Sequence, residues 1–180
     1  MYGIVNQAIE DLIVGNYGEE KWLAIKEKSG IDVDFFLSNE VYDDNVTYQL
    51  AGAAADVLQI SVNEVLIAFG EHWVLKTGME KYGSILTMGG QSFKEFLVNL
   101  PSFHNRLMLL YPKLSPPEFM VSSLETNSLH LHYISKREGL QEFVRGLIQG
   151  IAKMFQTNAQ IELIASRSDG NNHEIFKITW

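Results

Sequence analysis

The hydrophobic period changes once along this chain, close to residue 112, and that change restricts the fold more than any other feature. Up to that point apolar residues recur at helical spacing. Ile4, Val5, Ala8, Ile9 and Leu12 mark a first helix ended by Gly15 and Gly18, and Trp22, Leu23 and Ile25 mark a second ended by Gly30. A third follows the acidic start Asp43-Asp44-Asn45 and carries Leu50 to Leu58. The fourth opens on Ser61-Val-Asn-Glu64, a capping box, and contains Val65, Leu66, Phe69 and Trp73. After a segment punctuated by Gly78, Gly83, Gly89 and Gly90, "SFKEFLVNL" and "SFHNRLMLLY" predict two more helices, and Pro112, Pro116 and Pro117 end the helical part.

Beyond it the period falls to two. "EFMVSSL" and "LHLHYISK" flank the polar Glu125-Thr126-Asn127, and "AQIELIASR" and "HEIFKITW" flank Ser168-Asp169-Gly170-Asn171-Asn172, which predicts two hairpins. Between them Leu140, Phe143, Val144, Leu147, Ile148, Ile151, Met154 and Phe155 form a helical stripe. The expected class is α+β, a helical N-terminal subdomain over about 1–112 followed by a ββαββ antiparallel-sheet subdomain over about 113–180. No repeat, low-complexity tract or linker divides the 180 residues, so one domain is expected. A domain of this size buries roughly 70% of the surface its unfolded chain exposes, enough for a core that encloses a cavity.

Composition removes several functions. The chain has no cysteine, which excludes disulfides, thiol catalysis and cysteine-ligated zinc or iron–sulfur sites and points to histidine or oxygen as metal ligands. A formal net charge of −8 opposes a nucleic-acid partner. The longest apolar stretches, such as "EVLIAFG", fall far below the ~20 residues of a membrane-spanning helix, and "MYGIVNQAIEDL" has acids where a secretory signal needs bases. A soluble, cytoplasmic protein is expected. There is no phosphate-binding glycine loop, nucleophile elbow or zinc-helix signature, so nothing reads as an enzyme.

The informative stretch is "HYISKREGL". Tyr133, Ser135 and Arg137 are spaced two apart, so in an extended chain they project from one face, with Ile134 and Lys136 on the other. Two hydroxyls beside a guanidinium suit a carboxylate or phosphate better than a core. Of the five histidines, His130 and His132 share the opposite face, where a solvated strand outweighs a two-residue metal clip. His104 differs, because its helical neighbours Leu107, Met108 and Tyr111 form an apolar and aromatic lining in which an imidazole needs a partner. Asp43 and Asp44 read as ordinary helix-start acids. Gly146 and Gly150, four apart, read as close helix packing, with clearance for a flat ligand as the alternative.

Tyr133-x-Ser135-x-Arg137 entering a helix, His104 some 29 residues upstream and Pro117 thirteen beyond it together resemble the haem-nitric oxide/oxygen binding (H-NOX) family, bacterial relatives of the haem domain of soluble guanylate cyclase. The resemblance covers the whole chain, including "MYGIV", "AFGEHW", "SPP" and the closing hairpin. It implies haem b (protoporphyrin IX iron) between the two subdomains, its propionates held by Tyr133, Ser135 and Arg137 and its iron ligated by His104. Pro117 is then expected to press on the porphyrin, and Val5, Ile9, Trp73, Phe143 and Leu147 to line the gas-binding side. The implied function is a nitric oxide sensor, also taking carbon monoxide. Gas binding would loosen the bond from His104 and shift the N-terminal helices toward a signalling partner such as a histidine kinase, a cyclic-di-GMP enzyme or a chemotaxis receptor. Phe143 stands where oxygen-holding relatives carry a tyrosine, so stable oxygen binding is not expected unless Trp73 serves as donor. A haem protein with a storage or redox role and a haem-free protein-binding module are the competing readings.

Overall fold

The computed structural model describes residues 1–110 and 115–180. Seven α-helices and four strands appear among the described residues. They are α1 (Gly3–Tyr17), α2 (Glu19–Ser29), α3 (Asp44–Leu58), α4 (Val62–His72), α5 (Met79–Thr87), α6 (Phe93–Leu110), β1 (Glu118–Ser122), β2 (Ser128–Ile134), α7 (Gln141–Met154), β3 (Gln160–Ala165) and β4 (Glu174–Thr179). The strands form one antiparallel sheet in the order β1-β2-β4-β3, so both predicted hairpins are present and the second lies beside the first through β2 and β4. Mixed helices with this sheet give the α+β class expected from the period change.

Local chemistry sets the helix starts. Asp43 caps α3 by accepting from the Asn45 N–H at 2.8 Å. At α4 the Ser61 hydroxyl accepts from the Glu64 N–H at 3.2 Å while Glu64 Oε2 accepts from the Ser61 N–H at 2.8 Å, which satisfies a donor at each end of the box.

Three features depart from the sequence reading. The two helices expected around Pro101 are one, α6, which carries Pro101 inside it and loses one backbone donor there. The expected continuation of α4 through Trp73 instead becomes a π-helical turn over Trp73–Gly78, where six residues take the wider winding. The glycine-punctuated segment is helical as well, as α5, with a break at Tyr82 (φ −132°, ψ 18°). Tyr111 and Pro112, named above as lining and as terminator, lie outside the described residues.

The apolar side chains fall into two clusters. One joins α1 to α4 around Ile9, Ile13, Ile25, Leu50 and Ala54. The other joins α5, α6 and α7 to the inner face of the sheet, where Leu129, Leu131, Phe176 and Ile178 are fully buried. Helix α7 borders both, and it crosses α4 at backbone contact. A Cβ on Gly70 would meet the Phe143 carbonyl oxygen at 2.2 Å, and one on Gly146 would meet that of Ile67 at 2.1 Å. Both distances are far inside contact, so only hydrogen fits. A Cβ on Gly150 would meet the Val74 side chain at 2.8 Å, so these glycines serve helix packing. Among the described residues no single helix is long and apolar enough to cross a membrane.

Candidate functional site

Between the clusters lies a cavity of about 430 Å³, within the size range of cofactor sites. Its walls come from α1 (Ile4, Val5), the π-helical turn (Trp73, Val74, Gly78), α6 (Phe96, Leu100, Phe103, His104, Leu107), the segment Ser115 to Phe119, the end of β2 and α7 (Phe143, Val144, Leu147, Ile148, Ile151). His104, Pro117, Tyr133, Ser135, Arg137, Val5, Trp73, Phe143 and Leu147 all line it. Ile9 does not: it is packed in the α1–α4 cluster, because one further turn carries it about 6 Å along α1 from Val5, past the cavity's edge. Met108 also departs from expectation. It is 37% exposed, while Leu107 faces the cavity.

Burial pushes the His104 imidazole down from its ordinary value to about 4, against the opposing influence of the Pro117 backbone, so the ring is neutral at pH 7. Its Nδ1 is buried and has no hydrogen-bond partner of good geometry among the described residues. The Phe119 ring stacks on it at 5.4 Å between centroids. A neutral imidazole in an apolar wall is chemically able to ligate a metal.

The other polar end of the cavity is the row of donors. The ladder of β2 stops at Ile134, so Ser135 and Arg137 lie just past the strand rather than on it. The alternation nevertheless carries through, with Ile134 and Lys136 absent from the wall. The Tyr133 and Ser135 side chains are hydrogen-bonded, and Ser135 Oγ accepts from the Arg137 N–H at 3.1 Å. The Arg137 guanidinium donates to Asp44 Oδ2 at 2.7 Å and to the Ser115 carbonyl at 2.9 Å.

Asp44 is the residue the sequence reading passed over. Asp43 alone caps α3, which frees Asp44 for the cavity's rim. Burial would raise its carboxyl, but hydrogen bonds from the N-terminal ammonium and Arg137, with their charges, bring it below the usual carboxylate range. Two adjacent acids at one helix start, where capping needs one, were the available signal. Tyr2, Tyr42 and Tyr82 also line the cavity without having been singled out. On the outer sheet face His132 pairs with His173 (2.8 Å) and Ser122 (2.7 Å) rather than with His130. No group of three or more metal-ligating side chains gathers among the described residues.

The Haem-NO-binding family model matches residues 2–163. The chain belongs to this family. H-NOX chains are haem-based gas sensors, and the family match spans the cavity's walls from Tyr2 to Ile151. The solved H-NOX protein from S. oneidensis in the Fe(II)NO ligation state superposes with a TM-score of 0.88 at 24% identity, covering 99% of this chain and 98% of that one. The Fe(II) unliganded H-NOX protein from K. algicida gives 0.86 at 23%, covering 99% and 96%. Soluble guanylate cyclase gcy-31 of Caenorhabditis elegans is 32% identical over 180 residues, which is 99% of this chain and 26% of the relative. For gcy-33 of the same organism the figures are 25% over 171 residues, 94% and 18%. The chain thus spans about a quarter or less of the length of these cyclases.

The residues of this H-NOX chain fit an iron porphyrin. The apolar walls suit a flat macrocycle, the neutral imidazole suits its metal, and the hydroxyl–guanidinium row suits its two carboxylates.

A pH dependence follows for the haem-free protein. His104 takes up its proton near pH 4 when folded and near 6.5 when unfolded, so between these values the unfolded chain binds more protons and stability drops as the pH is lowered. About 3 kcal/mol present above pH 6.5 should be lost by pH 4. Burial lowers His72 and His132 as well, adding loss of the same sign. Urea unfolding of haem-free protein across this window tests it, and His104→Gly should flatten most of the slope. A stability that holds or rises on acidification contradicts the assignment.

Proposed function

We propose that this chain is a haem b sensor that takes nitric oxide and carbon monoxide at ferrous iron, does not hold oxygen, and signals to a fused or separate partner such as a histidine kinase or cyclic-di-GMP enzyme. The observation that carries this reading is that one apolar cavity gathers His104 at one wall and Tyr133, Ser135 and Arg137 at another. In it His104 ligates the metal, and the donor row holds and orients the propionates. Pro117, beside His104, would contact the macrocycle, and Val5, Trp73, Phe143 and Leu147 would exclude water from the rest of the cavity. Haem, when bound, supplies the iron that takes the diatomic ligand. Helix α1 contributes Ile4 and Val5 to the wall and also packs with α2, α3 and α4, so movement of that wall reaches the helical face offered to a partner. A cytoplasmic location accords with this role.

Selectivity rests on Phe143. Its ring lies 4.6 Å from that of Phe69 and brings no hydrogen-bond donor. Bound oxygen carries partial negative charge and needs such a donor in a dry site, whereas nitric oxide and carbon monoxide need it far less. Reduced protein exposed to air should keep its unliganded spectrum apart from slow oxidation, and nitric oxide or carbon monoxide should each change it at once. Phe143→Tyr should raise oxygen affinity. A lasting spectral change of the native protein in air would overturn the selectivity and transfer the donor role to Trp73.

A further inference from the structure

The donor row ends on backbone that no strand ladder supports. Pairing of β2 with β4 stops at Tyr133 opposite Glu174, and pairing with β1 stops at Ile134. Ser135 and Arg137, the two residues that complete the row, therefore need another source of order. That source is Arg167, from the turn between β3 and β4. Its Nη1 donates to the Ser135 carbonyl at 2.9 Å and its Nη2 to the Arg137 carbonyl at 2.8 Å. Its Nε lies between the two carboxylate oxygens of Glu174, at 2.9 and 3.1 Å.

Glu174 is 2% exposed and forms an ion pair with Arg167. The planar guanidinium presents its three nitrogens in fixed directions, and here each direction is used. Neither Arg167 nor Glu174 lines the cavity. Both lie beyond residue 163, where the family match ends.

We propose that Arg167 and Glu174 are positioning residues for anion binding: a clasp that fixes the backbone of residues 135–137 so that the Ser135 hydroxyl and the Arg137 guanidinium face the propionates. The division of labour is then plain. Asp44 and the Ser115 carbonyl steady the head of Arg137, and Arg167 steadies its backbone. Lysine at 167 would keep the charge beside Glu174 but lose the fork that reaches two carbonyls at once.

The inference rests on the propionate role of the donor row, and the test separates the two. Haem-loaded protein is mixed with excess apomyoglobin, and the rate of haem transfer is read for each variant. Arg167→Lys should speed transfer about 3- to 10-fold, on the order of one to two ordinary hydrogen bonds. In a Ser135→Ala/Arg137→Ala background it should add nothing, because the groups it positions are gone. An unchanged rate for Arg167→Lys, or the same acceleration in both backgrounds, overturns the clasp and leaves the propionate reading intact. An unchanged rate for Ser135→Ala/Arg137→Ala removes the propionate reading and the clasp with it. Where Arg167→Lys does not fold, Glu174→Gln keeps the side-chain volume, removes the carboxylate charge that anchors Nε and carries the same expectations. Haem-free unfolding, measured alongside, reports the purely structural cost.

Discussion

A His104→Gly chain is expected to lose its haem absorption and to regain it when imidazole is added. The expectation follows from how few groups in the cavity can reach a metal. Cysteine is absent, and no other histidine lines the wall. Burial holds the His104 ring neutral, the state in which an imidazole nitrogen can ligate iron. Glycine leaves a space of the ring's own shape beside Phe119, which free imidazole can enter. An unchanged spectrum of the reduced variant without imidazole would place the ligand elsewhere.

Arg137→Ala is expected to weaken haem retention by about 10- to 100-fold, the equivalent of a charge-assisted hydrogen bond of about 1.5–3 kcal/mol. The guanidinium is half-buried and its fork is already ordered by Asp44 and Ser115, so little conformational freedom is lost when a carboxylate arrives. Lys136→Ala is the matched control. Lys136 is exposed and absent from the cavity wall, so its removal should leave the rate near native. Equal rates for the two variants would mean that net charge, not geometry, governs retention.

The parts of the fold legible in the sequence were those set by periodicity and local chemistry. The capping box at Ser61, both hairpins and the stripe of α7 each needed only residues a few positions apart. Pro101 misled because a proline costs one backbone donor, and the packing of Phe96, Leu97 and Leu100 on the sheet cluster outweighs that. The π-helical turn at Trp73 had no local signal at all. At the site, spacing two brought Tyr133, Ser135 and Arg137 to one wall even after the strand ended. Spacing four did not do the same for Val5 and Ile9, since a cavity's edge is set by elements far away in sequence. Asp44 and Arg167 were missed for a related reason: their partners lie 93 and 30 to 32 residues away.

The backbone contact of α4 with α7 has a practical meaning for anyone reshaping the cavity. Gly70 and Gly146 leave no side chain between the helices that could be trimmed to let them drift, and even a methyl at either would have to displace main chain. Wider room beside Phe143 and Leu147 cannot be gained by loosening that joint; it has to be cut from side chains that border the cavity, Val5, Trp73, Phe143 and Leu147 themselves. Engineering for larger ligands on this scaffold is therefore a matter of carving the lining on a fixed frame.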